Sequence, residues 1–379
     1  MLKRLREIIY KVLSTRAAWP ILICISLLCV ASILALELSS PDRADRQRLF
    51  ITAGTIVLIL SLIPHFQVIG RASYVLFGVS ILLLVGVLAM DPIKGARRWF
   101  QLPGDFQLQA SELAKIAFVM AMAWYLRYRR NVRELTGLII PLMLTFVPFA
   151  LIVVEPDLGT ALLFPLVLYA MLIAAGARFR HMLIIALLAV IALPGAYPLL
   201  NQYQQRRIQT VVLRVMGKSD PKQVLKDDYQ LHQSLTAIGS GGATGQGSEG
   251  AQHIKQGLLP EAYTDFIFAV ICTQWGFVGG VVVLLLYLAF FGAAVEIAAS
   301  TKDPFGRLMV IGLSSLIIFQ TLINIAMTVG LGPVVGISLP FLSYGGSSLV
   351  TSMLAAGLLL NVSVRRQSKS VGSLESTLR

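Results

Sequence analysis

A carboxylate and a pair of opposite charges stand at the edges of otherwise apolar runs. Asp265 opens DFIFAVICTQWGFVGG directly after LLPEAYT. A carboxylate at the mouth of an apolar helix is costly unless it is hydrated, paired or used. Beside a long polar stretch, Asp265 is placed to take a proton from a hydroxyl; a simple helix cap or interface charge is the plainer alternative. Glu261 and Tyr263 share that rim, where Glu261 is a candidate substrate-binding residue. Glu112 and Lys115, in QASELAKIA, stand three apart on one helical face, where each compensates the other. Lys115 is the one basic residue in the body of an apolar block. It reads either as half of an ion pair that holds a bundle together or as a cation aimed at a phosphate-bearing ligand.

Other charges gather near these. Glu155 and Asp157, in VVEPDLGT, form an acidic turn. Two carboxylates there hold a divalent cation, Mg or Mn, where a third oxygen group or a phosphate completes the shell; an ordinary exposed turn explains them equally. Arg97, Arg98 and Trp99 precede the Glu112 helix. Arg206 and Arg207 supply positive charge suited either to a pyrophosphate or to a membrane surface. No Walker sequence, dinucleotide fingerprint, metal-binding His cluster or nucleophile elbow is present, so no nucleotide cofactor is expected. Cys24, Cys29 and Cys272 all lie in apolar blocks and read as small buried side chains, without a disulfide framework or zinc spacing.

The elements that position these residues are membrane helices. The 379 residues are 56% hydrophobic and only 13% charged, about half the charge of a soluble globular chain, roughly 25%. Apolar blocks fall at about 19–38, 49–63, 73–90, 111–127, 135–154, 160–176, 181–198, 265–295, 306–330 and 342–363. An all-α polytopic membrane protein of about ten spans follows. The first block, behind a basic N-terminus, lacks a small-residue cleavage site and is expected to be retained as a helix. The net charge of +13 lies at helix ends and in connections, which argues for orientation in a membrane and against a nucleic-acid partner. One set of connections, with both tails, is rich in Lys and Arg (Arg127, Arg129, Arg133, Arg178, Arg180, Lys302, Arg307, Arg365) and poor in acids. That set is cytoplasmic by the positive-inside rule. Both termini are then cytoplasmic, as an even number of spans requires, and Asp265 lies on the outer side.

Residues 1–363 read as one transmembrane domain and 364–379 as a short, disordered cytoplasmic tail. The domain includes one large extracytoplasmic loop, 199–264, rich in glycine from Gly239 to Gly250. Those glycines either bring backbone amides close to a ligand or make a flexible surface loop. Pro148 and Pro165 are expected to interrupt two spans, either as functional breaks or as simple kinks. GLGPVVGISLPFLSYGGSS, between the last two spans, prescribes a bent re-entrant connection. Asn324, Ser343, Tyr344, Ser347 and Ser348 add polar groups there.

KGARRWFQL, QASELAKIA, EPDLGT, YQQRRI, LLPEAYTDFIFAV, DPFGRL and NIAMTVGLGPVVGISLPFLSYGGSS occur in order from about residue 94 to 348. Together they resemble the SEDS family (shape, elongation, division and sporulation), and most closely its rod-shape branch. The resemblance implies a ten-helix fold and a peptidoglycan glycosyltransferase that polymerises lipid II outside the membrane. It implies a class B penicillin-binding protein, a transpeptidase, as partner within the cell-elongation machinery. It also implies that Asp265 is the catalytic residue, that Glu112 and Lys115 line the adjoining cavity, and that Asp157 belongs to the PDLG turn. Three departures stand out. Two acids usual after DFIFAV are Thr273 and Gln274, followed by Trp275 and Gly276; the proline usual before SE is Ala110; and residues are inserted around Pro103 to Phe106. A non-catalytic scaffold for a cell-wall synthase and a transporter of lipid-linked precursor are the alternatives to polymerisation.

Overall fold

A computed structural model describes residues 10–12, 14–92, 96–102, 106–129, 131–196, 198, 205, 209, 216 and 229–366. Each apolar block becomes one helix: α1 (Ala18–Ser39), α2 (Pro41–Ser61), α3 (Phe66–Val87), α4 (Ala110–Leu126), α5 (Ile139–Val154), α6 (Leu158–Ala174) and α7 (Phe179–Ala196), then α10 (Ile267–Ser300), α11 (Pro304–Thr328) and α12 (Gly346–Arg366). Two short helices, α8 (Tyr229–Ser240) and α9 (Gly247–Lys255), lie in the long loop. Six of these helices are long and apolar enough by length and composition to cross a membrane. Among the others, α2 begins with a charged turn and α4 carries Glu112 and Lys115, because both enter the bundle at its working end. The chain is a multi-pass membrane protein.

The helices pack by burial inside and apolar exposure outside, as a bundle dissolved in lipid must. Nearly all of α4 is buried, while Leu82, Phe146, Leu187 and Leu288 point outward. Helix α11 packs on α4, α6 and α10, and α12 packs on α2. At one end Arg365 donates to the carbonyls of Leu62, Ile63 and Pro64, and Asn361 to those of Ser61 and Pro64. The exposed C-terminus of α2 is thereby capped. Helix α12 thus continues past residue 363, where the tail was expected to begin; residues 367–379 lie outside the described residues.

The opposite end gathers the connections that carry the chemistry. A small antiparallel hairpin not foreseen in an all-α chain, β1 (Trp99–Leu102) and β2 (Phe106–Gln109), pairs Trp99 with Gln109 and leads into α4. Helices α5 and α6 run through Pro148 and Pro165 as single elements, so the expected interruptions do not fall there. The break is in α10 instead, at Gly276 (φ 66°, ψ −162°), a conformation essentially confined to glycine.

The glycine-rich loop explains how that break survives. Across it the amides of Phe277 and Val278 bond to the carbonyls of Gly242 and Ala243 at 2.9 and 3.1 Å, and Gln246 returns an amide to Thr273 at 3.0 Å. Backbone freed by the break is therefore satisfied by the loop. A Cβ on Gly245 would lie 2.2 Å from the Gln274 carbonyl oxygen. The close approach that glycine permits here serves α10 rather than a ligand.

Candidate functional site

Asp265 sits in the turn ahead of α10, half-buried, with its amide bonded to the Glu261 carbonyl at 3.0 Å. Thr264 and Phe266 donate to the same carbonyl, so one oxygen organises the turn. Glu261 is exposed, adopts φ 52°, and accepts the Thr264 hydroxyl on its carboxylate at 3.2 Å. Tyr263 stacks under the exposed guanidinium of Arg43 at 4.5 Å, and Tyr344 lies 6.0 Å from the same group. Arg43 is thus a cation at this rim that the motifs did not single out.

The connection between α11 and α12 is largely buried from Ile337 to Ser343, and side chains from four helices hold its carbonyls. Asn324 bonds Ile337 at 2.6 Å, Gln320 bonds Ser338 at 3.0 Å, and Tyr287 bonds Pro340. Cys29 approaches Phe341 at 3.8 Å, Ser32 bonds Leu342 at 2.6 Å, and Gln47 bonds Ser343 at 3.2 Å. This dense satisfaction is what allows an irregular connection to be buried among the helices. The Ser343 hydroxyl donates to the Thr264 carbonyl, and the Tyr344 amide to Tyr263 at 2.8 Å, tying the segment to the turn of Asp265. A Cβ on Gly336 would stand 3.3 Å from Asp265 Oδ2.

Glu112 and Lys115 form the expected pair, Nζ to Oε1 at 2.8 Å, with 4% and 2% exposure. Lys115 also donates to Gln320 Oε1 at 3.2 Å and borders an apolar crevice with Phe118, Leu163, Phe164 and Leu316. Asp157 caps α6 by accepting the Thr160 amide on Oδ1 at 3.2 Å. Its Oδ2 accepts from Gln109 at 3.3 Å and lies 3.9 Å from Arg98. The Gln109 amide in turn bonds Ser347 at 3.1 Å, and Ser348 meets Ser338 at 2.6 Å. Asp265, Glu112, Lys115 and Asp157 therefore lie on one polar network built around residues 336–348. Arg206 and Arg207 lie outside the described residues.

The model of the FtsW/RodA/SpoVE family, described as cell cycle protein, matches residues 6–368. This chain belongs to that family. The probable peptidoglycan glycosyltransferase FtsW of Trichlorobacter lovleyi is 37% identical over 326 residues, covering 84% of this chain and 82% of that one. The peptidoglycan glycosyltransferase MrdB of Escherichia coli K12 is 35% identical over 358 residues, covering 93% and 95%. A chain of a solved peptidoglycan synthase complex, described as coordinating polymerization and crosslinking, superposes with TM-score 0.79 at 29% identity, covering 92% of this chain and 98% of its own. The fold is the SEDS fold.

Thr273 and Gln274, where the resemblance implied an acid pair, are buried and serve the joint in α10: Thr273 donates to Ala237 at 2.9 Å, and Gln274 to Ala35 at 3.1 Å. They tie α10 to α8 and α1. Both Asp157 oxygens already accept from N–H donors, and among the described residues no three His, Cys, Asp or Glu side chains cluster. Glu155 has both oxygens without a hydrogen-bond partner among the described residues. Burial, reinforced by Asp157 and opposed by Arg98, pushes its carboxyl up to about 8.

Motif reading missed Gln109 and Gln320. Their signal was available for Gln320: an amide in an apolar helix, four residues before Asn324 and so on the same face.

Proposed function

We propose that this chain is a peptidoglycan glycosyltransferase that polymerises lipid II at the extracytoplasmic membrane face during cell elongation, with a class B penicillin-binding protein as its partner. The relatives named glycosyltransferases and the likeness to a synthase complex support the activity and the partnership. The distribution of Lys and Arg supports two cytoplasmic termini and an outward-facing Asp265 in a bacterial inner membrane. The observation that carries the assignment of chemistry is the tethering of the Asp265 turn to the segment 336–344, whose carbonyls from Ile337 to Ser343 are held by side chains and backbone amides and which is shared with the Lys115 network.

In this reading Asp265 accepts the proton of the sugar 4-hydroxyl of one lipid II as that oxygen attacks the anomeric carbon of the growing chain's terminal sugar. The bond to undecaprenyl pyrophosphate breaks in the same displacement, inverting the α-linked donor to a β-linked product. Lys115, with Arg206 and Arg207, supplies positive charge for the pyrophosphate that leaves. Glu112 holds Lys115 in place, and Glu261 shapes the Asp265 turn. A divalent cation near Asp157 would add to that positive charge. The substrate's lipid tail accounts for an enzyme made of spans.

The deciding experiment measures glycan-chain formation from lipid II by purified wild-type and D265N chains, each with and without the cognate penicillin-binding protein. Polymer from wild type alone, with both proteins folded, is expected. Wild-type polymerisation by D265N would overturn the general-base role.

A further inference from the structure

Lys115 lies on α4 and Asp265 in the turn ahead of α10, and one side chain joins their surroundings. A lysine ammonium only donates hydrogen bonds, so the Gln320 oxygen must face Lys115. Its amide nitrogen is then forced toward Ser338, where it meets the carbonyl at 3.0 Å and the hydroxyl at 3.3 Å. The next carbonyl along, Ile337, is held by Asn324, and the same Asn324 nitrogen holds the Asp265 carbonyl at 2.8 Å. Gly336, one residue further back, faces the Asp265 carboxylate. Gln320 and Asn324 are one turn apart on α11, so both clamps act from a rigid element.

We infer that Gln320 is a positioning residue that couples the Lys115–Glu112 pair to segment 336–338 and so holds Asp265 where it can accept the proton. The inference rests on the general-base reading of Asp265. Gln320 is 4% exposed, and in so dry a site each hydrogen bond polarises the next. When Lys115 turns one of its donors toward an anionic pyrophosphate, its bond to the Gln320 oxygen changes. The opposite end of the same planar amide grips Ser338, so the change reaches the backbone beside Asp265. Binding of the leaving group and placement of the base are thereby linked through a residue that touches neither.

The test uses Gln320→Leu and Gln320→Glu in the complex with the cognate penicillin-binding protein. Leucine removes both ends of the link. Glutamate keeps the acceptor for Lys115 and the side-chain volume but cannot donate to Ser338. Both variants are expected to lower kcat for lipid II polymerisation at least tenfold per folded complex, with KM within about twofold of wild type. Should the leucine variant fail to fold, the glutamate variant alone decides. Unchanged kcat per folded complex, with only a lower melting temperature or yield, would reduce Gln320 to a packing role and overturn the inference. A raised KM at unchanged kcat would make it a substrate contact and overturn it equally. Activity retained in D265N, by contrast, removes the reading beneath the inference, and that result is obtained independently.

Discussion

Asn324 holds the main-chain carbonyl of Asp265 at 2.8 Å with the same nitrogen that holds Ile337 at 2.6 Å. A single buried amide therefore fixes the distance between the turn that presents the carboxylate and the segment it faces. Both acceptors are backbone groups that water does not reach easily, so their loss of a donor is expensive.

Asn324→Ala is accordingly expected to cost about 1–3 kcal/mol for each carbonyl left unsatisfied and to reduce polymerisation more than tenfold. Asn324→Asp should do the same, because an ionised carboxylate cannot donate to either carbonyl. Thermal unfolding and glycan synthesis on the same preparations check this; full activity in either variant would show that Asn324 does not set the turn.

The Glu112–Lys115 pair separates stability from chemistry. Replacing one member leaves a buried charge without its partner, and Lys115→Met or Glu112→Gln should each cost about 3–5 kcal/mol. Replacing both with apolar residues of similar size, Glu112→Leu with Lys115→Met, should recover most of that stability while polymerisation stays abolished. Recovery of activity in the double variant would remove Lys115 from the mechanism.

The break in α10 predicts a sharp requirement for glycine. A Cβ at Gly276 would stand 2.4 Å from the Gly245 nitrogen and 2.5 Å from the Ala243 carbonyl, and its φ of 66° together with ψ of −162° is a combination essentially confined to glycine. Gly276→Ala should release the loop from α10 and expose segment 241–246 to hydrogen exchange and proteolysis. Wild-type protection of that segment would show that the joint does not depend on Gly276.

How much of this was legible before the structure depends on charge. Asp265 and the Glu112–Lys115 pair announce themselves because a charge in an apolar run needs a reason. The ten helices follow from the lengths of the runs, and the re-entrant segment from its density of glycine and proline. Gln320 and Gln109 carry no charge, and their meaning lies in partners more than ten residues away. Pro148 and Pro165 looked like the breaks because proline removes a local hydrogen bond, yet the real break needs the distant 241–246 loop to satisfy it. The end of α12 was misplaced for a similar reason: Arg365 looks like a tail charge until its bonds to the C-terminus of α2 are seen. The hairpin strands at Trp99–Leu102 and Phe106–Gln109 are too short to show a period of two.

Glu155 makes the stability of the protein depend on pH in a definite direction. Its carboxyl, ordinarily at 4.5, is pushed up to about 8 by burial and by Asp157. Between those values the folded protein keeps a proton that the unfolded chain releases, so stability falls as pH rises through this window and levels off above about 8. The change amounts to about 1.4 kcal/mol for each unit of difference between the two states. Glu155→Gln, which cannot ionise, should unfold with little dependence on pH from 5 to 8 and should exceed wild type in stability at pH 8. The arrangement also leaves Arg98 to Asp157 at neutral pH, since a protonated Glu155 does not compete for it. Unfolding of wild type and variant across that range, in detergent, is the measurement; the same slope in both would show that Glu155 is already ionised in the folded protein.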